Sequence, residues 1–304
     1  MLIIASCSSQ KRVLAEIGLD ASASQAIDLN QFAQGWVTIV NQAKTKHPAT
    51  DVYAGVGLSA AKEAAKCLNA KLQFLSAGMS LVDSTSKIPG YNLTISESGP
   101  TPFSKVDTGG TFSDWWTALN NAFGYHEPLY QSVRNNKGLV LIALPANYLR
   151  MVQDELLRIA SDFGDRVRII TSTKTELHPR LDGLSIRYDQ RLNALEGNKG
   201  ANASFNQRAL LNFARLLKNH SAAMKDVSFH RALVNESFKD VASLNPVKRP
   251  KASEHQLLNY VKKALAKQPV ARTKLLADLR HQNGLACEQS RFYRIYDEVM
   301  KMSA

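Results

Sequence analysis

Seven residues near the amino terminus, Ser6-Cys7-Ser8-Ser9-Gln10-Lys11-Arg12, combine side chains that suit a phosphate or a heterocycle. Small hydroxyl residues let backbone N–H groups approach a ligand closely, and two cations follow at once. Ser6, Cys7 and Ser8 are therefore candidate pocket residues, with Lys11 and Arg12 as candidate phosphate contacts. A second segment runs Phe74-Leu75-Ser76-Ala77-Gly78-Met79-Ser80-Leu81-Val82-Asp83 and on to Lys87-Ile88-Pro89-Gly90-Tyr91-Asn92-Leu93-Thr94. A rigid turn that displays a ring and an amide can stack on a flat base and hydrogen-bond its edge. That reading places Ser76 and Tyr91 in a base pocket. A third segment, the loop from Gly197 to Ser204, opens into Phe205-Asn206-Gln207-Arg208. Backbone amides at a helix start, beside Lys199 and Arg208, form a candidate phosphate clamp. Its glycine spacing matches neither a Walker loop nor a dinucleotide fingerprint. Each segment also has a structural alternative: a polar turn, a packed Tyr91 plug, a solvated loop.

The charge distribution points the same way. Lys plus Arg total 38 against 26 Asp plus Glu, a formal net charge of +12. From Pro246 to Ala304 there are 12 Lys/Arg and five acids, so this short tail carries +7 of the excess. It reads as three helices, about His255–Ala266, Thr273–Gln282 and Glu288–Met302, with Asn283-Gly284 turning between the last two as in a helix-turn-helix. Gln289, Ser290, Arg291 and Arg294 fall on the amino-terminal half of the third helix, where a recognition helix meets base edges. Phe292, Ile295, Tyr296 and Val299 form its buried stripe. Arg272 and Lys274 add phosphate contacts from the second helix. A compact basic appendix of this kind suits a polyanion, and double-stranded DNA is the expected partner.

These segments need a scaffold. Apolar runs at Leu2–Ala5, Leu72–Leu75, Gly138–Leu144 and Val167–Ile170 read as strands buried on both faces. Amphipathic stretches at Leu29–Ala43, Leu58–Leu68, Phe112–Phe123 and Asn147–Phe163 read as helices between them. The fold class is therefore α/β: a mostly parallel sheet with helices on both faces. A helical middle segment, Tyr188–Ala242, and a small carboxyl-terminal three-helix domain complete it. The expected division is residues 1–243, a linker at 244–253, and 254–304. Ligands of such sheets bind beyond the carboxyl ends of the strands, which directs attention to the loops at Ser6–Arg12, Ser76–Thr94, Pro145–Asn147 and Thr171–Pro179. No apolar run reaches the length of a membrane span. Three well-separated cysteines, Cys7, Cys67 and Cys287, suit a reducing compartment such as the cytoplasm and lack metal-ligand spacing. No cofactor and no metal are expected.

The order of Ser6-Cys7-Ser8 with Lys11, then Asp51-Val52-Tyr53-Ala54-Gly55, then Leu75-Ser76-Ala77-Gly78-Met79-Ser80-Leu81, then Ile88-Pro89-Gly90-Tyr91-Asn92-Leu93-Thr94 resembles the YaaA-like group of bacterial proteins. The resemblance covers about the first half of the chain. Gly78-Met79-Ser80 stands where relatives commonly carry a lysine, an aromatic residue and a glycine. The resemblance implies a DNA-binding α/β body and, more distantly, a uracil-DNA-glycosylase-like architecture that flips a base into a pocket beyond the strand ends. Neither a Gly-Gln-Asp-Pro-Tyr run nor a His-Pro-Ser run occurs.

Cleaving an N-glycosidic bond needs a carboxylate or amide near the sugar to hold water and stabilise positive charge, and donors to the leaving base. Asp83 and Asn92 on the second loop and Asp107 in a Gly/Thr-rich turn are the catalytic candidates. Asn147, after the third strand, is a pocket candidate that also suits a helix cap. Of the adjacent Trp115 and Trp116, one is expected in the core and the other at the surface or in a groove. His126 and His178 are candidates for the same rim. The function these parts fit is a DNA glycosylase acting on a modified or damaged base, with a role in defence against phages whose DNA is hypermodified. A non-catalytic DNA-binding protein and a transfer-RNA base-modifying enzyme are the alternatives.

Overall fold

The aliphatic run at the amino terminus forms β1, Leu2–Ser6, the core of a six-stranded sheet. The computed structural model describes residues 1–8, 10–13, 28–95, 101–102, 110–223, 225–242, 249–266 and 268–303, with 101–102 and 302–303 described by backbone alone. The chain divides into two units, Met1–Leu244 and Asn245–Ala304. The sheet belongs to the first. Its other strands are β2 (Lys71–Ser76), β3 (Ser80–Asp83), β4 (Val140–Ala143), β5 (Val167–Ser172) and β6 (Ser185–Tyr188). They lie in the order β6-β5-β4-β1-β2-β3. Every neighbouring pair is parallel except β2 and β3, which are antiparallel. Counting the parallel strands in chain order gives 2-1-3-4-5, so the winding reverses between β1 and β4. A crevice opens at such a reversal because the helices that follow the two strands lie on opposite faces.

The helices of this unit are α1 (Leu29–Gln42), α2 (Val56–Leu68), α3 (Phe112–Phe123), α4 (Pro128–Asn135), α5 (Ala146–Met151), α6 (Gln153–Phe163), α7 (Phe205–Asn219) and α8 (Val227–Ser237). On one face α2 packs along α7, α7 crosses β4 and β5, and α8 lies on β6. The other face carries α3 to α6, and α1 packs on α3. A Thr111–Asp114 capping box starts α3. Trp115 and Trp116 on this helix are 0% and 4% exposed, which corrects the expectation that one of them faces outward. The helix is covered on two sides: Trp115 donates to the Ala77 carbonyl (2.8 Å) and Trp116 to the buried Glu155 carboxylate (2.5 Å).

Two strands of this sheet went unread in the sequence. β3 is the return arm of a hairpin and opens on Ser80 at φ +59°, and β6 is a four-residue edge strand. Beneath β6's side of the sheet, buried Arg168 donates through Nε to Nδ1 of His230 (3.0 Å), whose Nε2 donates to the Ala222 carbonyl (2.8 Å). This geometry requires a neutral imidazole, and burial together with the neighbouring guanidinium holds the His230 pKa below its ordinary value. A lowered histidine pKa means that the unfolded chain binds the extra proton first. The stabilisation is therefore complete above about pH 6.5 and declines as pH falls through that value. Thermal unfolding midpoints measured from pH 8 to pH 6 should fall, and His230→Phe should remove that part of the slope.

The second unit holds α9 (Glu254–Leu265), α10 (Arg272–His281) and α11 (Gln289–Ser303). Leu257, Val261, Leu275, Leu279, Phe292 and Ile295 form its separate core. Gly284, at φ +63°, turns the chain between α10 and α11. A parallel bridge of Lys251 to Ala286 ties the two segments that lead into α9 and α11.

Candidate functional site

The crevice at the winding reversal is a cavity of about 360 Å³. Ser6, Cys7 and Ser8 line it from the end of β1, and Pro145, Asn147 and Tyr148 from the turn after β4. The first turn of α2, the segment leading into α7 and Gln207 on α7 itself supply further wall, including Gly57 and Ser204, and Gln10, Tyr53, Phe74 and Thr94 complete the lining. Several contacts fix this arrangement. The loop after β1 zips onto the segment before α2: Arg12 N donates to Val52 O (2.9 Å), Ala54 N to Gln10 O (3.0 Å), and Lys11 bridges to Tyr53. Gly55 then turns into α2 at φ +97°, where a side chain would also strike the Gln10 amide. Gln207 Nε2 donates to Ser6 Oγ (2.7 Å), joining α7 to the end of β1. Ser8 Oγ accepts from Gln10 N (3.1 Å).

The floor is a set of buried hydroxyl and thiol groups. Cys7 Sγ lies 3.2 Å from Tyr148 Oη. Ser76 Oγ accepts from the amides of Gly78 (3.2 Å) and Met79 (3.1 Å), so its own proton points to Tyr91 Oη at 2.5 Å. Tyr91 in turn meets Tyr53 Oη at 2.9 Å. Burial pushes the phenol pKa values of Tyr53, Tyr91 and Tyr148 up, and Cys7 adds to this, so all three remain neutral donors and acceptors.

Of the expected pocket residues, Ser6, Cys7, Ser8 and Asn147 line the cavity. Ser76 and Tyr91 lie beneath it. Tyr91 is 1% exposed, which corrects the expectation of a displayed, base-stacking ring. The reason is Gly78: its missing Cβ, which would sit 2.9 Å from the Tyr91 ring, leaves the space the ring occupies. Asp83 is at the other end of the sheet. Because β3 runs antiparallel, Asp83 lies opposite Gln73, where Gln73 Nε2 (2.7 Å) and Lys71 Nζ (3.0 Å) hold its carboxylate. Asn92 is half-buried and does not line the cavity. Asp107 lies outside the described residues. His126 and His178 are exposed and do not line it either. Tyr53, Tyr148, Gln207 and the Gly55-Val56-Gly57 turn border the cavity but were not singled out for it in the sequence. The available signals were the resemblance segment Asp51–Gly55, the helix start at Phe205–Arg208, the Gly-x-Gly spacing and the position of Tyr148 beside Asn147.

The expected phosphate contacts divide. Arg12 and Lys199 are exposed, and Lys11 is half-buried with Nζ 4.3 Å from the centre of the Tyr91 ring. Arg208 is 3% exposed and faces inward. It donates to Ser204 Oγ (3.2 Å), Asn193 Oδ1 (2.8 Å) and the carbonyls of Gly200 (3.1 Å), Ala201 (3.0 Å) and Asn198. It organises the loop rather than presenting a cation to solvent. In the second unit, Arg272 pairs with Asp297 (3.1 Å) and stacks on Tyr293 (4.4 Å). Arg294 pairs with Glu254 (3.0 Å) and Glu298 (2.9 Å). Arg291 donates to Ala252 O (3.1 Å), and Ser290 to Glu288 (2.9 Å). Lys274 and Gln289 are exposed.

Among the described residues no group of His, Cys, Asp or Glu could hold a metal ion, and no helix is long and apolar enough to cross a membrane. No protein-family model matches the chain, and comparison with characterised proteins finds no significant match.

Proposed function

We propose that the protein is a DNA glycosylase: it binds duplex DNA, takes an extruded nucleotide into the cavity beyond β1 and β4, and hydrolyses the N-glycosidic bond of a modified or damaged base. The observation that carries this reading is the cavity itself, set at the winding reversal, where α/β sheets bind their ligands. At about 360 Å³ it lies at the small end of ligand sites, a size suited to one nucleoside unit. Its hydroxyl, amide and phenol lining offers donors and acceptors for the edge of a base. The start of α2 borders it without a side-chain cap, so its amides favour a phosphate that flanks an extruded nucleotide. Asn147, whose Oδ1 accepts from Tyr148 N (3.0 Å) and whose Nδ2 reaches Ile95 O (3.4 Å), is the cavity-lining amide candidate for holding a water, and Asp107 remains the carboxylate candidate from sequence. The excess of cations and the resemblance to the YaaA-like group support a nucleic acid as partner, and a modified base fits a role in phage defence.

Duplex DNA carrying natural, damaged and glucosylated bases tests the reading. Release of one free base, with alkali-labile abasic sites left behind, is the expected result. Salt-sensitive binding without release from any of them would favour the non-catalytic alternative, which the absence of a carboxylate among the described lining residues keeps in play. The second unit should contribute phosphate contacts. The ion pairs of Arg294 are solvent-exposed, so exchanging them for DNA phosphates costs little. Arg294→Ala should leave the unfolding midpoint unchanged, while the slope of log affinity against log salt flattens by roughly 0.9 for the lost phosphate contact.

A further inference from the structure

We propose that Lys11 gives the protein a second activity: cleavage of the DNA strand at an abasic site through a Schiff base with the sugar aldehyde. The inference rests on the cavity being a nucleotide site. Three observations lead to it. The buried cations Arg168 and Arg208 of this unit are surrounded by acceptors. Lys11 is not: among the described residues its ammonium meets the Tyr91 ring face at 4.3 Å and no carboxylate. Its loop borders the cavity through Ser8 and Gln10, and its backbone pairs with cavity-lining Tyr53. Lys11 is not itself a lining residue: its amine lies on the ring of Tyr91, whose hydroxyl meets that of cavity-lining Tyr53 at 2.9 Å, and rotation of its four-carbon stem would carry the amine to the floor. Burial lowers its pKa, with Cys7 partly opposing, which favours the neutral, nucleophilic amine.

The chemistry balances without a further reactant. Base removal leaves a deoxyribose whose ring-opened form is an aldehyde at C1′. The Lys11 nitrogen lone pair attacks C1′, the carbonyl oxygen leaves as water, and an iminium forms. That iminium acidifies C2′. Its proton passes to water, and the C3′–O bond breaks with the 3′ phosphate departing on the downstream strand. Hydrolysis of the imine then consumes one water and restores the amine.

The test uses the full chain and a duplex in which a uracil-specific glycosylase has already made one abasic site, so it does not depend on base release by this protein. With sodium cyanoborohydride, a covalent protein–DNA adduct should form, and tryptic mass spectrometry should map it to Lys11. Without reductant, the strand should be nicked to a 3′ unsaturated aldehyde and a 5′ phosphate. Lys11→Ala and Lys11→Arg should both fall to the no-enzyme level, whereas Lys11→Arg, which keeps the charge, should retain DNA affinity and the wild-type unfolding midpoint. Trapping that survives in Lys11→Arg, or that maps to another lysine or to the Met1 amine, overturns the proposal. Base release with no adduct on abasic DNA also overturns it while leaving the glycosylase reading intact. An adduct at Lys11 without release of any base supports it and counts against that reading instead.

Discussion

Arg208→Ala should unfold the protein at a markedly lower temperature without changing how its folded form responds to salt in DNA binding. The guanidinium holds two side chains and three loop carbonyls together. Removing it strips those acceptors of their donor inside a region already closed to water. Each buried acceptor that loses its donor costs about 1–3 kcal/mol. In a unit of this size each kcal/mol lowers the midpoint by about 2–4 °C. Arg208→Lys should recover little, because an ammonium cannot reproduce the planar fork that reaches both Asn193 and Gly200. Loss should extend to the cavity, since Ser204 and Gln207 on its wall are held by the same segment. The checks are a calorimetric midpoint and a salt titration of DNA affinity. An unchanged midpoint with a flatter salt slope would mean that Arg208 faces DNA.

Tyr91→Ala should be nearly as damaging, at about 3–5 kcal/mol for a buried aromatic side chain cut to a methyl group. Tyr91→Phe separates packing from polarity. It keeps the ring against Gly78 and Trp36 but leaves Ser76 without an acceptor for its proton and Tyr53 without its partner. Each such orphaned group costs about 1–3 kcal/mol, so urea unfolding should place Tyr91→Phe between wild type and Tyr91→Ala. A ring that stacked on a base at the surface would give the opposite pattern, with stability preserved in both variants and DNA affinity lost.

These two residues also show which parts of the site the sequence reveals. The sheet was legible because β1, β2, β4 and β5 are short aliphatic runs, a pattern that fits strands covered on both faces. The end of β1 and the turn after β4 followed from that, and with them Ser6, Cys7, Ser8 and Asn147. The hairpin of β2 and β3 was not legible. Its turn is buried and its polar atoms are satisfied by Trp36 and Trp115, distant in sequence. A segment rich in Ser and Gly therefore looked like an open loop, and Asp83 was assigned to the wrong end of the sheet. Arg208 misled for a related reason. A cation opening a helix has the same spacing whether it turns to solvent or back onto the loop before it, and only tertiary packing decides. The charges of the second unit were countable, but their exposed pairings across α9 and α11 depend on a helix packing that composition does not specify.

The most direct test of the glycosylase reading is the rate of base release by wild type and by Ala203→Trp on the duplex substrate that the panel identifies. Ala203 is exposed and lines the cavity wall, so a tryptophan there blocks the cavity without entering the core. The account predicts an unchanged unfolding midpoint and release slowed by about tenfold or more, at least about 1.4 kcal/mol of activation free energy. Release at the wild-type rate by the folded Ala203→Trp protein would contradict it and place the chemistry elsewhere on the molecule.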